Sequence, residues 1–246
     1  MGYASASDAG LTGAVNCTQE GASVGTKQGF SITVQESSSG TYDPMQIPHG
    51  LSQAPDFIIG KDIDSGSTNW AVYHTSLGAT HKVDLDTNAA YTANSNYWSD
   101  TAPTSSIVYS NSGSWMYPSS SFVMYSWHDV PGMQKFGKYD GNSSADGTFI
   151  ELGFSPAIVI IRKYNTGTND WYLFDDQLNK YNLSDQYVCP NLTNAKTPYS
   201  NVEIDMLSNG FKIRNTEGSI NDGNMLYAAW AYQPMNNLYG GQSNAR

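Results

Sequence analysis

The chain has 246 residues, of which only 14% are charged, and its abundant glycine, serine, threonine, asparagine and tyrosine favour short strands and polar turns over helices. Its net charge of -10 would repel a phosphate backbone, which excludes nucleic acid as an expected partner. No apolar run reaches the roughly 18 residues that a membrane-spanning helix needs, so we expect no membrane insertion.

The chain begins with small residues. Residues 1–28 are rich in Gly, Ala, Ser and Thr and show little periodicity, which predicts a flexible N-terminal arm or tether. From residue 30 to residue 34, apolar and hydroxyl side chains alternate, as in a strand with one solvated face. Residues 57–59 and 157–161 are apolar on both faces and follow proline-bearing turns, which predicts a central strand at each place.

Two later segments, 121–127 and 225–230, carry aromatic and β-branched residues and are also predicted as strands. Residues 175–180 are the only candidate for a short helix. Because the predicted strands are short and turn signals recur roughly every ten residues, the sequence predicts an all-β chain built from antiparallel β-sandwiches.

Landmarks in the first half of the chain recur in the same order in the second half, about one hundred residues later. The matched pairs are Phe30 with Phe136, the turn 49–55 with the turn 152–157, Trp70 with Trp171, His74 with Asp175, and Trp127 with Trp230. This repeat predicts two tandem related units, residues 29–131 and 132–236, followed by a polar C-terminal tail of residues 237–246. A position that takes either His or Asp is expected to need a polar group at the end of a strand.

These landmarks, together with residues 128–142 and the segment Leu-Ser-Asn-Gly-Phe-Lys-Ile-Arg of residues 207–214, resemble a family of repeats found at the C-termini of marine bacteriophage tail-fibre and virion structural proteins. The resemblance covers about residues 28–246. It implies a jelly-roll or lectin-like sandwich on the tail or capsid surface of a virion. The implied partners are further copies of the same chain, other virion proteins and a host surface glycan.

Aromatic residues in loop-rich segments are the candidate ligand-binding residues. Tyr97, Trp98, Trp115 and Tyr117 lie among Ser and Asn, where exposed rings could stack on sugars or anchor a protein contact. Trp115 in particular is predicted to lie on a projecting loop, since Ser-Gly-Ser precedes it and Pro118 follows. The alternative is that the same rings cover the ends of the sandwich.

The sequence offers no clear catalytic or metal-binding set. The candidate acids stand singly or in loops, and the four histidines lack the spacing of a metal site or a catalytic triad. Residues 62–66 resemble the opening of a calcium loop but lack the downstream Glu, so an acidic turn is expected there. Two cysteines so far apart, Cys17 and Cys189, leave open whether they pair. We therefore expect no catalytic residue, no metal and no cofactor.

Three functions follow as hypotheses. The favoured one is a non-enzymatic virion surface protein of a tail fibre or tail tip that displays a host-recognition surface. The second is an architectural capsid or tube protein whose N-terminal arm packs on a neighbour. The third is a polysaccharide hydrolase, which would require two carboxylates to converge in a cleft. Fold alone cannot separate them, because β-sandwiches serve all three.

Overall fold

The computed structural model describes residues 7–195, 197–198 and 201–234. Within these residues it contains eighteen strands and two helices of four residues each, so the all-β prediction is confirmed. Every pairing between strands is antiparallel. The predicted arm residues 1–6 and the predicted tail residues 237–246 lie outside the described residues.

The chain divides into two compact units, and unit 1 consists of Met1–Leu85 and Tyr91–His128. Its main sheet has the order β1-β2-β9-β4-β5-β6-β7, while β3 and β8 form a second, two-stranded sheet and α1 is the short helix. The elements are β1 (Cys17–Gly25), β2 (Phe30–Ser37), β3 (Pro44–Pro48), β4 (Phe57–Asp62), β5 (Ala71–His74), β6 (His81–Asp84), β7 (Thr92–Ala93), α1 (Ser95–Trp98), β8 (Ile107–Asn111) and β9 (Ser121–Trp127).

Unit 2 consists of Asp86–Ala90 and Asp129–Arg246. Its main sheet has the order β10-β18-β12-β13, its second sheet has the order β11-β17-β16, and β14 and β15 form a separate pair. The elements are β10 (Gln134–Asn142), β11 (Phe149–Glu151), β12 (Pro156–Lys163), β13 (Trp171–Asp175), β14 (Gln186–Tyr187), β15 (Thr197–Pro198), β16 (Ile204–Leu207), β17 (Gly210–Ile213), α2 (Gly218–Asn221) and β18 (Asp222–Ala231).

Four strands follow the same order in the main sheet of each unit: β2-β9-β4-β5 in unit 1 and β10-β18-β12-β13 in unit 2. The second sheets also agree, since β3 pairs with β8 and β11 pairs with β17. The two segments predicted as central strands form β4 and β12, and each has a strand on both sides. That prediction is confirmed.

The strand pairing shows that one pair matched from the sequence, Phe30 with Phe136, is out of register by two residues. Phe30 lies opposite Trp127, and the residue that lies opposite Trp230 is Gln134 rather than Phe136. Both phenylalanines still contact the tryptophan of their unit, with ring centroids 4.8 Å apart for Phe30 and 5.6 Å apart for Phe136. A shift of two residues keeps a side chain on the same face of a strand, so the aromatic contact survives the change.

His74 and Asp175 end equivalent strands and have the same local role. The Nδ1 atom of His74 accepts a hydrogen bond from the backbone N–H of Ser76 at 3.1 Å, and Asp175 Oδ1 accepts one from the N–H of Gln177 at 2.8 Å. Each side chain therefore stabilises the turn that leaves its strand, as expected for a polar group at a strand end. The helix considered for residues 175–180 does not form, because the chain turns directly after β13.

The prediction of a flexible arm over residues 1–28 is wrong for residues 17–25, which form β1. This strand pairs with β2 from Cys17 opposite Ser37 to Gly25 opposite Phe30 and lies at the edge of the main sheet of unit 1. Its residues are small and polar, so they show little hydrophobic periodicity. An edge strand can nevertheless form, because its stabilisation comes largely from backbone hydrogen bonds to the neighbouring strand.

Each unit has its own apolar core between its sheets. Large fully buried side chains dominate both cores, as expected for interiors packed at crystal-like density. Those of unit 1 include Met45, Ile47, Ile58, Trp98, Trp115 and Phe122, and those of unit 2 include Phe154, Val159, Ile161, Phe174 and Phe211.

The buried carboxylate of Asp62 ties the end of β4 to the loop before β9. It accepts hydrogen bonds from the N–H of Asp64 at 3.0 Å and of Ser65 at 2.8 Å, which form the predicted acidic turn. It also accepts from the N–H of Tyr117 and the hydroxyl of Ser120, both at 2.7 Å. Four donors on one buried carboxylate compensate its loss of hydration.

Lys163 occupies the equivalent place in unit 2 and has a similar role with the opposite charge. Its ammonium group donates to the carbonyl of Gly218 at 3.1 Å and to the carboxylate of Asp222 at 3.0 Å, which links the end of β12 to the segment leading into β18. In both units, a charged side chain at the end of a central strand thus fixes the loop before the last strand.

We predict that Asp62→Ala lowers the free energy of unfolding by about 3 kcal/mol, because several buried donors lose a charged acceptor. Asp64→Ala is the matched control: it lies in the same turn but is exposed, and its carboxylate accepts a backbone hydrogen bond from Ser121 at 2.7 Å. Urea unfolding followed by tryptophan fluorescence measures both. Equal losses in the two variants would contradict the central role of Asp62.

His49 is fully buried in unit 1 and is held in its neutral form. Its Nδ1 accepts from the N–H of Leu51 at 3.1 Å, which leaves the proton on Nε2, 3.1 Å from the carbonyl of Thr104. The pKa of His49 is lowered from 6.5 to about 4, chiefly by burial and to a smaller extent by the charge of His128, while the hydrogen bond to Thr104 opposes this shift. The folded protein therefore resists protonation at a position that the unfolded chain protonates readily.

A pH-dependent stability follows. Because the folded pKa is lowered, the contribution of His49 is complete above pH 6.5 and is lost as the pH falls towards 4. At pH 5 this residue is expected to reduce stability by about 2 kcal/mol relative to pH 7. The His49→Gln variant, whose side chain does not titrate, should lose correspondingly less stability between these pH values in urea unfolding. An equal loss in both proteins would refute this explanation.

Candidate binding cavities

Three of the four predicted ligand-binding residues are buried. Tyr97 is 6% exposed and Trp98 and Trp115 are 0% exposed, whereas Tyr117 is 48% exposed. The prediction of exposed rings is therefore wrong for Tyr97, Trp98 and Trp115. All three rings belong instead to the buried core of unit 1.

Trp115 is buried because the opposing sheet leaves room for its ring. Gly60 in β4 has no side chain, and a Cβ atom there would lie only 2.6 Å from the ring of Trp115. The indole Nε1–H donates to the carbonyl of Tyr97 at 3.3 Å, and the ring lies edge-on to Phe122 with centroids 5.3 Å apart. The predicted projecting loop thus turns its tryptophan into the core.

Unit 1 has a cavity of about 240 Å³ that brings together two of the predicted residues, Tyr97 and Tyr117. Three walls form it: the β4–β5 connection, the loop before β9 and the end of α1. Its lining consists of hydroxyl, amide and aromatic groups with one methionine, namely Ser67, Thr68, Asn69, Tyr97, Gly113, Ser114, Met116 and Tyr117.

A polar network supports this cavity from behind. Asp84 accepts hydrogen bonds from Asn69 Nδ2 and from Lys82 Nζ, both at 3.1 Å, and Lys82 Nζ also donates to the hydroxyl of Tyr97 at 3.2 Å. Burial and then the charge of Asp84 raise the pKa of Tyr97, so its hydroxyl stays neutral. The network holds Asn69 and Tyr97 in fixed positions, as a preformed binding site requires.

Unit 2 has a larger cavity of about 350 Å³, within the usual range for small-molecule sites. Its walls are the end of the β12–β13 connection, the segment that follows β14, and the residues around the start of α2. It is lined by Asp170, Tyr172, Tyr187, Cys189, Leu192, Asn194, Ala195, Asn201, Val202, Glu217 and Ser219.

The lining of this cavity includes two tyrosine rings and two carboxylates. The rings of Tyr172 and Tyr187 meet edge-to-face with centroids 5.1 Å apart. Asp170 accepts from Asn191 Nδ2 at 2.7 Å, and Asn191 Oδ1 in turn accepts from the N–H of Trp171 at 3.0 Å. Glu217 stands at the N-cap of α2, but its side chain makes no capping hydrogen bond. Its carboxylate therefore does not cap the first turn of α2.

The charges of these carboxylates raise the pKa values of neighbouring groups. Burial chiefly raises the pKa of Tyr172, and the charges of Asp170 and Glu217 raise it further. Burial, followed by the charge of Asp170, raises the pKa of Cys189 to about 11. At neutral pH both groups keep their protons, and the cavity therefore offers hydrogen-bonding groups and negative charge but no thiolate nucleophile.

Sequence reasoning did not select Asp170, Tyr187 or Glu217 as site residues. Asp170 could have been found from the repeat, because it precedes Trp171 as Asn69 precedes Trp70. Tyr187 and Glu217 come from segments without a recognisable match in the first half. They meet Asp170 only in the folded unit.

Three further features raised by the sequence are a metal site, a pairing of the two cysteines and a membrane-spanning helix. In the described part of the chain, no group of three or more His, Cys, Asp and Glu side chains could hold a metal ion. Cys17 and Cys189 are both free thiols. None of the helices formed by the described residues is long and apolar enough to cross a membrane.

The family described as Domain of unknown function (DUF7483) matches residues 3–234. The chain belongs to this family. The DUF7483 match covers most of each unit and every residue that lines the two cavities. No curated protein and no solved structure matches the chain. Because the family description gives no activity, the likeness to phage tail-fibre proteins stays a prediction.

Proposed function

We propose that this DUF7483 chain is a non-enzymatic binding protein that holds hydroxyl-rich ligands, the sugars of a surface glycan, in a cavity at one end of each unit. The observation that carries the proposal is the equivalent position of the two cavities. Each lies between the connection that follows the central strand, β4–β5 in unit 1 and β12–β13 in unit 2, and the loop before the last strand of its unit. An unrelated surface hollow would not be expected to recur at the same place.

The chemistry of the linings supports a sugar ligand. Amide and hydroxyl groups exchange hydrogen bonds with sugar hydroxyls, and tyrosine rings pack against the apolar faces of pyranose rings. In unit 1 these groups are Asn69, Ser67 and the half-exposed Tyr117. In unit 2 they are Asn194, Asn201 and Tyr187.

We also propose that the two units are related by duplication and are sandwiches of the jelly-roll or lectin-like kind. Support comes from their common strand order, the shared turn role of His74 and Asp175, and the equivalent loop anchors Asp62 and Lys163. Apart from residues 86–90, which belong to unit 2, the chain passes from unit 1 to unit 2 between residues 128 and 129, near the boundary predicted from the repeat.

The biological setting that we propose is the surface of a phage particle, in a tail fibre or tail tip built from several copies of the chain together with other virion proteins. Its support is the sequence resemblance. The architectural alternative depended on an N-terminal arm, but residues 17–25 form the edge strand β1 of unit 1 instead. Host recognition through glycan binding is thus the setting that agrees with the cavities.

Calorimetric titration with bacterial surface oligosaccharides should detect two sites per chain. Tyr117→Ala removes an exposed ring from the unit 1 cavity and should weaken that site about tenfold, the loss expected for one aromatic contact. Tyr42→Ala is the matched control, because Tyr42 is 56% exposed in the same unit and does not line the cavity. Equal affinity in both variants, or no binding of any oligosaccharide, would refute the proposal.

A second candidate function, polysaccharide hydrolysis, is favoured by one observation: Asp170 and Glu217 line the same cavity. A glycosidase uses two carboxylates on either side of the scissile bond. If unit 2 is a hydrolase, incubation with oligosaccharides that bind should release reducing ends, and Glu217→Gln should abolish the release. Under the binding proposal, the ligands should be recovered intact after prolonged incubation with the unaltered protein.

A further inference from the structure

The two equivalent cavities differ in charge. The described lining of the unit 1 cavity contains no charged side chain. The unit 2 cavity contains the carboxylates of Asp170 and Glu217, and none of its described lining residues is Lys, Arg or His. At one matched position the difference is a single substitution, since Asn69 in unit 1 corresponds to Asp170 in unit 2.

Both carboxylates retain the capacity to interact with a ligand. Asp170 is oriented by Asn191, which contacts one of its oxygens at 2.7 Å. Glu217 does not cap α2, although it occupies the N-cap position. Of the neighbouring cations, Arg162 interacts electrostatically with Asp170 while its guanidinium donates to the carbonyl of Ala89 at 2.5 Å, and Lys163 is paired with Asp222 at 3.0 Å.

We propose that the cavity of unit 2 selects cationic sugars, in which an amino group is protonated, while the cavity of unit 1 takes neutral sugars. This inference rests on the proposed function and names the ligand class of one of its two sites. The ammonium group of an amino sugar would donate hydrogen bonds to Asp170 and Glu217, and the sugar ring would pack against Tyr187.

The preference for a cationic sugar has an electrostatic cause. A neutral ligand would remove part of the hydration of the two carboxylates without supplying a positive charge. An ammonium group supplies that charge and is attracted before contact, an effect that salt screens. A neutral sugar in the same cavity gains only hydrogen bonds and packing.

The test uses oligomers of glucosamine and of N-acetylglucosamine of equal length, at mildly acidic pH where the amino groups of glucosamine are protonated. The two ligands share a backbone and differ in charge and acetylation. The full chain should bind the glucosamine oligomer about tenfold more tightly at the unit 2 site, as expected for a charge-assisted contact. This preference should shrink as salt is added.

Asp170→Asn together with Glu217→Gln should remove the preference while leaving the neutral oligomer bound as before. Asn can still accept the hydrogen bond from Asn191, so the wall of the cavity is retained. The control pair Asp140→Asn and Glu151→Gln removes two exposed charges from the same unit outside the cavity and should leave the preference intact. A preference lost equally in both pairs would mean that net charge alone explains it.

Cysteine alkylation locates the ligand independently of affinity. Burial raises the pKa of both thiols to about 11, but only Cys189 lines the cavity. Bound glucosamine oligomer should slow alkylation of Cys189 and leave Cys17 unchanged. If the neutral oligomer binds and protects Cys189 as strongly as the cationic one, the inference fails while the binding function stands; if neither oligomer nor any other glycan binds, the proposed function itself fails.

Discussion

The structure of each unit depends on the insertion of its last strand between two strands from much earlier in the unit. β9 lies between β2 and β4, and β18 lies between β10 and β12. These pairings join residues distant in sequence, so their hydrogen bonds and side-chain contacts must offset the entropy of closing long loops. The loop before each last strand is thereby brought to the end of the central strands, where it forms a wall of the cavity.

The two units stabilise that loop with opposite charges. In unit 1 the anion Asp62 collects hydrogen bonds from N–H and O–H donors, whereas in unit 2 the cation Lys163 donates to a carbonyl and a carboxylate. The cavities also differ in charge, but in the opposite sense, since the neutral Asn69 of unit 1 corresponds to the carboxylate of Asp170 in unit 2. The two units thus share a strand order while the charges around it differ, and one arrangement of strands presents cavities of different chemistry.

The aromatic residues show how a local pattern can mislead. Small and polar neighbours around Trp115 are typical of an exposed loop, yet the ring is buried because Gly60, far away in the sequence, leaves space for it. Tyr117, only two positions later, is 48% exposed, although its backbone N–H donates to the buried carboxylate of Asp62. Burial in this segment is decided by the sheet that it packs on.

The sequence by itself determined the all-β class, the central strands β4 and β12, and the polar ends of β5 and β13, because hydrophobic alternation, two-faced apolar runs and turn-forming side chains are local properties. Only the tertiary structure decided that residues 17–25 form a strand, that Trp98 and Trp115 are buried, and that Tyr187 and Glu217 join Asp170 around one cavity. These features depend on backbone pairing, on space left by distant residues and on loops without periodicity. None of the three leaves a signal in the sequence of the segment concerned.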